Sequence, residues 1–505
     1  MQHPPPHSRC TACAAVLLAL LGMAAGAQAQ AVPVATRFVE SQDGIGHMLV
    51  VPYYTVQGGN ATLLNITNSD RVNGKAVKVR FRGASNADDV FNFTLFLSPG
   101  DVWAAEISQN PATGLARLST PDDSCTLPTG INRDFDTARL NPASDVANES
   151  REGYVEIITM ADVVPGTAVH AATTHVGGKL PAACSQGASA PAALRALDTQ
   201  TGVNEAGFSA PTSGLFANWS IFNVASATSW AGAATAIEAV DSHGVAGKGK
   251  VVVFPQSLNL PAGAVGELTS DPLLRSGAVV ARQFDFPDLS TPYLEGTTPT
   301  QQASLLSGAL AKSSVRNEFF IDKSVQAGTD WVMSLPTRRY SLALDYATGQ
   351  PKYTSLPKAY ITQDNVHFYA EGSYGTDMGC VFGIAMDYRN RSGQRMEPDF
   401  VLSASPVIHE QLILCGAVSV VTFETEYQEK DSVLASSVAR DRQIVPQDPS
   451  AGWGEVRTPG LNNAGLPLIG AAFAKATSTN IGAGISGNFG LTWPHRYTRP
   501  SAGAQ

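Results

Sequence analysis

Charged residues are scarce in this chain and make up 15% of its 505 residues, where about a quarter is usual. The 34 basic residues are outnumbered by 43 acidic ones, which gives a formal net charge of −9. This acidic balance argues against a nucleic-acid binder and against a polybasic membrane-surface protein. A hydrophobic content of 44% also excludes a disordered chain. We therefore expect a folded protein with no nucleic-acid partner.

Long apolar runs are missing after residue 31, so no transmembrane anchor is expected. The earlier run Ala14–Leu21 is too short to span a bilayer. Arg9 precedes it, and the small-residue sites Ala27-Gln28-Ala29 and Ala29-Gln30-Ala31 follow it, which is typical of a secretory signal peptide over residues 1–31. The sequence predicts export through the inner membrane to the cell surface or extracellular space, with the periplasm as the alternative.

Cysteines lack the close C-x-x-C pairs that a metal site usually needs. Beyond the predicted signal peptide the chain keeps Cys125, Cys184, Cys380 and Cys415, separated by 59, 196 and 35 residues. An even number of cysteines in an exported chain favours disulfides, and three pairings are possible. The local pairing, Cys125–Cys184 with Cys380–Cys415, keeps each bond within one half of the chain, and we prefer it.

Motifs of common hydrolases are also absent. No G-x-S-x-G occurs, and the His409-Glu410 start of a zincin motif ends at Ile413 in place of the second histidine. His47, His170 and His175 do not have metal-ligand spacing. Eight aspartates are interpreted as solvated turn residues: Asp88, Asp89, Asp122, Asp123, Asp285, Asp288, Asp441 and Asp448. Six tryptophans either fill the core or stack on sugars: Trp103, Trp219, Trp230, Trp331, Trp453 and Trp493. No catalytic, cofactor-binding or metal-ligating residue is predicted.

Strand patterns dominate what is present. In Lys75–Arg82 the residues alternate, so Val77, Val79 and Phe81 share one face, and the basic residues Lys78, Arg80 and Arg82 are expected on a solvent face. Further strands of this spacing precede and follow it, whereas Ala225–Ala234 is rich in small residues and is interpreted as a surface loop. The sequence predicts a mainly β protein with antiparallel β-sandwich domains, Ig-like or jelly-roll-like.

One helix start is well marked. Thr298 is a good N-cap, Pro299 suits the first helical position, and Gln301 completes a capping box. Strands resume after about residue 313, and Val325–Thr329 echoes Val56–Asn60 at the entry to a strand. We therefore divide the chain into a signal peptide (1–31), an N-terminal β-sandwich domain with long loops (32–297) and a C-terminal one (298–505), joined by short helices.

The chain also resembles a family of exported proteobacterial proteins that are described as cell-surface or hypothetical secreted proteins. The resemblance is clearest over residues 44–128 and is carried by Leu49–Val56, Asn60–Thr62, Lys75–Arg82 and Leu97–Trp103, with a looser likeness at Gly328–Thr337 and Pro494–Thr498. It implies a location at the cell envelope and brings no activity with it.

Export, low charge and missing catalytic motifs together favour a cell-surface or extracellular protein with a structural, adhesive or binding role. Envelope or extracellular-matrix components are its expected partners, and no cofactor is expected. The alternative is a secreted enzyme that degrades a polysaccharide or polyester, or the binding module of such an enzyme. A pair of carboxylates for glycoside hydrolysis would be recognised by its spacing in three dimensions, not in the sequence.

Overall fold

The computed structural model describes residues 31–177, 184, 207–252, 288–340, 344–345, 350–351, 381–396, 411–414, 416–425, 429–447, 449–460, 463–482 and 485–501. The fold is mainly β, with 50% of residues in strands and 9% in helices, and it contains several antiparallel sheets. The prediction of a mainly β protein is confirmed at this level.

The N-terminal half (residues 32–297) contributes two sheets. Sheet A has eight strands, in the order β1-β13-β2-β9-β4-β5-β8 with β10 beside β9, and sheet B has five, in the order β12-β11-β3-β6-β7. The strands are β1 Arg37–Glu40, β2 Met48–Thr55, β3 Asn60–Asn68, β4 Gly74–Gly83, β5 Asp89–Leu97, β6 Val102–Gln109, β7 Ala116–Ser119, β8 Thr126–Leu127, β9 Glu152–Val163, β10 Phe208–Ser209, β11 Leu215–Asn223, β12 Thr228–Ala233 and β13 Thr235–Val240.

The C-terminal half (residues 298–505) also contributes two large sheets. Sheet C has six strands, in the order β20-β19-β24-β15-β28 with β21 beside β19, and sheet D has five, in the order β23-β22-β16-β26-β27. The strands are β14 Ala311–Lys312, β15 Ser314–Phe320, β16 Gly328–Ser334, β17 Leu344–Asp345, β18 Gln350–Pro351, β19 Val381–Asn390, β20 Arg395–Met396, β21 Gln411–Leu414, β22 Val418–Thr425, β23 Arg440–Val445, β24 Ala451–Arg457, β25 Leu466–Pro467, β26 Ile469–Gly482, β27 Ile485–Pro494 and β28 Arg496–Thr498.

Helices are short. They are α1 Val146–Glu149, α2 Ala168–Thr173 and α3 Pro299–Leu310, with 3₁₀ turns at Gln57–Gly59, Lys323–Val325 and Arg338–Tyr340. The predicted capping box begins α3: the Thr298 hydroxyl accepts from the Gln301 amide, and the Thr298 amide donates to the Gln301 side chain. This helix therefore starts where its local signal places it.

Both halves have the same local structure where the chain passes from one sheet to the other, and we call it the corner. In the N-terminal half, Thr62 at the start of β3 accepts a hydrogen bond from the Thr55 amide and donates one to the Thr55 carbonyl, at 3.0 and 2.9 Å. In the C-terminal half, Thr329 of β16 makes the same two bonds to Phe320, each at 2.9 Å. A 3₁₀ turn lies in each connection. The echo noticed in the sequence thus corresponds to a shared local structure.

The core runs between the sheets and across the boundary of the halves. Phe93 of sheet A contacts Trp103 of sheet B, with ring centroids 5.4 Å apart. Phe473 of sheet D belongs to the same buried cluster, and its ring lies 5.6 Å from Trp219 of sheet B. A second cluster, built around Trp331 and Phe423, is internal to the C-terminal half. Sheet D therefore buries one face in its own half and the other against the N-terminal half.

Two expectations from the sequence are wrong. Residues 228–233 of the predicted loop Ala225–Ala234 form strand β12, because the Trp230 side chain is buried and donates from Nε1 to the Ala474 carbonyl at 2.9 Å. The basic face of β4 is also not solvated: every residue of this strand is buried. Segments distant in the sequence cover that face, and the alternation of residues along one strand carries no information about such a cover.

Candidate functional site

The predicted disulfide residues are described in part. Cys125 and Cys184 form a disulfide, with Cα atoms 5.1 Å apart. Cys380 and Cys415 lie outside the described residues. Their neighbours Val381 and Leu414 are antiparallel partners in β19 and β21. The Cys380–Cys415 bond stays a prediction.

The histidines do not form a common site. His47 is buried, its Nδ1 accepts from the Ala239 amide, and its Nε2 lies 2.7 Å from the Gly247 carbonyl. Burial lowers the pKa of His47 to about 4, so the ring is neutral. His175 contacts Ser98 and Asp101 instead, and His170 lies in α2. Among the described residues no group of three His, Cys, Asp or Glu could hold a metal ion; His409 lies outside them.

The tryptophans divide between core and rim. Trp103, Trp219, Trp230 and Trp331 are buried, which is the core alternative, whereas Trp453 and Trp493 are partly exposed. Three of the acidic candidates differ from their interpretation as solvated turn residues, whereas Asp123 is exposed. Asp88, Asp89 and Asp288 are buried, Asp122 caps a turn by accepting from the Ser124 amide, and Asp285 and Asp448 lie outside the described residues.

A layer of buried charge covers one face of sheet A. Arg80 and Arg82 of β4 both lie near one carboxylate oxygen of Asp288, at 3.6 and 3.2 Å. Arg80 also pairs with Asp89 at 3.2 Å, and Arg82 with Glu156 at 3.2 Å. Burial opposes ionisation of Asp89, but Arg80 and the neighbouring cations lower the pKa of its carboxyl below its usual range. These pairs fasten residue 288 onto the sheet.

Residues from the C-terminal half close this layer. Arg339 donates to the Ala87 carbonyl, to which Arg82 also donates at 3.2 Å. The Tyr154 hydroxyl donates to Pro336 at 3.3 Å. Buried ion pairs of this kind contribute little net stability, but removing one partner is strongly destabilising. The layer joins the two halves of the chain.

A second junction is built on the single carboxylate of Glu152. Its Oε2 accepts from the Tyr53 hydroxyl at 2.6 Å and from the Ser436 hydroxyl at 2.7 Å. Its Oε1 accepts from the amides of Ser437 and Val438 at 2.9 and 2.7 Å. Glu152 belongs to the N-terminal half and is fully buried. We call residues 432–438, which it holds, the clamped loop.

Asp330 holds the clamped loop from the other side. This residue of β16 accepts from the Ser432 hydroxyl at 2.6 Å and the Leu434 amide at 3.0 Å. The Thr422 hydroxyl donates to its second oxygen at 2.8 Å. Burial raises the pKa of Asp330 to about 6 despite these hydrogen bonds. Sequence analysis missed Glu152 and Asp330. Asp330 is the one carboxylate of the apolar strand β16, which is a usable signal for a buried anchor, whereas β9 contains three carboxylates and gives no such signal for Glu152.

In contrast to these buried junctions, the outward side of sheet B is exposed to solvent. We call it the open face. Its residues are exposed or half-exposed: Ala61, Leu63, Asn65 and Thr67 of β3, Phe216, Asn218, Ser220 and Phe222 of β11, Val102, Ala104, Glu106 and Ser108 of β6, Ser229, Ala231 and Ala233 of β12, and Arg117 and Ser119 of β7.

Cross-strand register makes the open face continuous. One row crosses all five strands through Ala231, Ser220, Leu63, Glu106 and Ser119. Since neighbouring strands lie about 4.8 Å apart, this row spans roughly 19 Å. Its only charge is Glu106. The open face can therefore meet a flat surface without desolvating many charges.

Comparisons with family models, with curated proteins and with solved structures find no match. Among the described residues, no helix has the length and apolarity needed to cross a membrane. The open face and the two junctions are thus interpreted from their geometry alone.

Proposed function

We propose that this chain is an exported protein of the cell surface or extracellular space, with an adhesive or structural role and no catalytic one. In this proposal residues 1–31 are a removed signal peptide, and residues 32–297 and 298–505 form two β-sandwich domains. The Cys125–Cys184 bond supports export, because disulfides persist in oxidising compartments. The likeness to exported proteobacterial cell-surface proteins points to the same location.

The open face carries the proposal. It combines small, amide and hydroxyl side chains with the exposed apolar residues Leu63 and Phe222, which lie near each other on neighbouring strands, and with Val102, which lies farther along the sheet. Depletion of charge is typical of the centres of protein interfaces, and contiguous exposed apolar groups mark interaction sites. The other side of sheet B carries the buried side chains of Trp103, Trp219 and Trp230, so the open face is backed by a packed core. A weakly charged face that is backed by a packed core is suited to attachment to an envelope or matrix polymer.

Cosedimentation of the purified chain, residues 32–505, with peptidoglycan sacculi, cellulose and chitin tests attachment. We expect binding to at least one polymer and at least a tenfold loss in the double variant Leu63→Lys, Phe222→Lys. The matched control is Val72→Lys, Val176→Lys, which replaces two exposed valines outside the sheets. Binding to no polymer, or equal loss in both variants, would overturn the proposal. Release of soluble sugars would support the polymer-degrading alternative.

The compartment is tested separately. Intact-mass measurement of the protein from envelope and culture supernatant should show a chain that has lost about 29–31 residues, as the two A-x-A sites predict. A chain that still begins at Met1 would contradict export.

A further inference from the structure

A groove of about 690 Å³ lies where the two halves meet, between β1 and α3. All four residues of β1 line it. Since successive side chains of a strand point to opposite faces, a cavity that touches four consecutive residues runs along the edge of the strand. The remaining lining residues are Gln42, Ser304, Leu305, Gly308, Ala309 and Arg499.

Strand β1 is the last strand of sheet A, and among the described strands its partner is β13. Phe38 lies opposite Ala239, whose amide donates to His47 and whose carbonyl accepts from Gly247. Ala239 thus directs its backbone groups away from β1, and the two residues form a non-hydrogen-bonded pair. The N–H and C=O of Phe38 therefore point at the groove, where they can bond to an added strand.

Small residues form part of the helix wall of the groove. Ser304 and Gly308 are small residues on the side of α3 that lines the groove. A Cβ added to Gly308 would meet no atom within 4 Å. A strand edge facing a helix across an open groove is a geometry in which extended peptides bind by adding a strand.

Charges in the groove specify the occupant further. Glu40 is already engaged: Lys312 contacts its carboxylate, and Arg499 and the Tyr497 hydroxyl donate to it, each at 3.1 Å. Arg499 is also held by a bond to the Ala309 carbonyl at 3.0 Å. Arg37 adds a further exposed guanidinium. The two cations that line the groove, Arg37 and Arg499, exceed its single carboxylate, Glu40, so the lining has a net positive charge on a chain whose net charge is −9.

We propose that an extended peptide segment of a partner protein, carrying at least one carboxylate, adds as a strand to the free edge of β1 in this groove. Backbone pairing with Phe38 provides the register, and Arg37 receives the carboxylate, because Arg499 already binds Glu40 on the opposite face of β1. With four residues in β1, the paired stretch is about 13 Å long. The proposal is independent of the open face.

Selection of a phage-displayed random dodecapeptide library on the immobilised chain tests the proposal. We expect enriched peptides that are acidic and protect the Phe38 amide from deuterium exchange. Gly308→Phe, which fills the groove from an open position, should weaken them at least tenfold. Gly308→Ala is the matched control and should leave binding within about twofold. Arg37→Gln should weaken acidic peptides and leave any neutral ones unchanged.

Three results would overturn the proposal. One is the absence of enrichment over an uncoated surface. Another is a set of peptides that bind Gly308→Phe as well as the wild type. The third is self-association of the wild type in sedimentation velocity that Gly308→Phe abolishes, since the occupant would then be a second copy of this chain.

Discussion

Sheets B and D are both five-stranded, and the chain enters the middle strand of each through the same threonine hydrogen bonds. The outward face of sheet B is exposed, whereas that of sheet D is buried. From Thr62 and Thr329 onward, Leu63 and Asn65 of β3 correspond to Asp330 and Val332 of β16. Leu63 and Asn65 are exposed, whereas Asp330 and Val332 are fully buried. The corner is thus independent of what later covers the sheet.

The difference arises from how the halves meet. Trp230 and the clamped loop belong to opposite halves and lie at this junction. Gly490 of β27 allows close approach, because a Cβ there would lie 2.1 Å from the Ser229 carbonyl oxygen. The outward face of sheet D is therefore buried in the junction, whereas that of sheet B is exposed and can contact another surface.

The largest expected effect comes from placing a charge on each face. Val332→Asp should destabilise the fold by about 4 kcal/mol or more, because it buries an unpaired carboxylate. The corresponding change on the open face, Asn65→Asp, should alter the free energy of unfolding by about 0.5 kcal/mol or less. Urea denaturation followed by tryptophan fluorescence compares them. Similar losses in both variants would contradict the assignment of one buried and one open face.

Glu152→Gln should cost about 3 kcal/mol, because an amide presents N–H groups to donors that now face a carboxylate oxygen. Hydrogen exchange at Ser437 and Val438 should accelerate as the clamped loop is released. The control Glu106→Gln, on the open face, should change neither stability nor exchange. Unchanged protection of the two amides in Glu152→Gln would show that Glu152 does not hold the loop.

Stability should also depend on pH through Asp330. Burial raises its folded-state pKa from 3.8 to about 6, so the folded chain binds this proton more tightly than the unfolded chain. The resulting stabilisation is fully present below about pH 4 and is lost as pH rises through 6, by about 3 kcal/mol. Unfolding free energies of wild type and Asp330→Asn at pH 4 and pH 7 isolate this effect. A difference between them that does not change with pH would refute it.

The smallest expected loss of stability comes from removing the threonine hydroxyl of each corner, and it tests whether the two corners are equivalent. Thr62→Val and Thr329→Val should each cost about 1–2 kcal/mol, because each removes the hydroxyl that accepts from the backbone amide of Thr55 or Phe320. Equal losses, measured by thermal unfolding of the two single variants, are expected from equal hydrogen bonds. A large loss at one site only would mean that the corners are not equivalent.

The sequence predicted correctly those elements that depend only on residues near each other in the chain. The capping box of Thr298 and Gln301 gave the start of α3, and alternation gave β4. Neither could reveal that Asp288 and Arg339 cover β4, since that depends on contacts between segments far apart in the sequence. Strand β12 was missed because Ala231, Gly232 and Ala233 have low strand propensity, and Trp230 stabilises the strand through a hydrogen bond to the other half. Of the candidate sites, the open face is implicit in the alternation of β3, and the groove depends on tertiary structure.

The buried charge on β4 has a consequence for the order in which this chain can mature. Synthesis proceeds from the N-terminus, so Arg80 and Arg82 emerge long before Asp288, and Arg339 follows later still. Until those residues arrive, the guanidinium groups keep their water and sheet A lacks its cover. A nascent chain ending at residue 297 would hold the strands of sheets A and B without Arg339 or the clamped loop. We therefore expect the charged face of sheet A to stay hydrated until the C-terminal half has been synthesised, and to become buried only then.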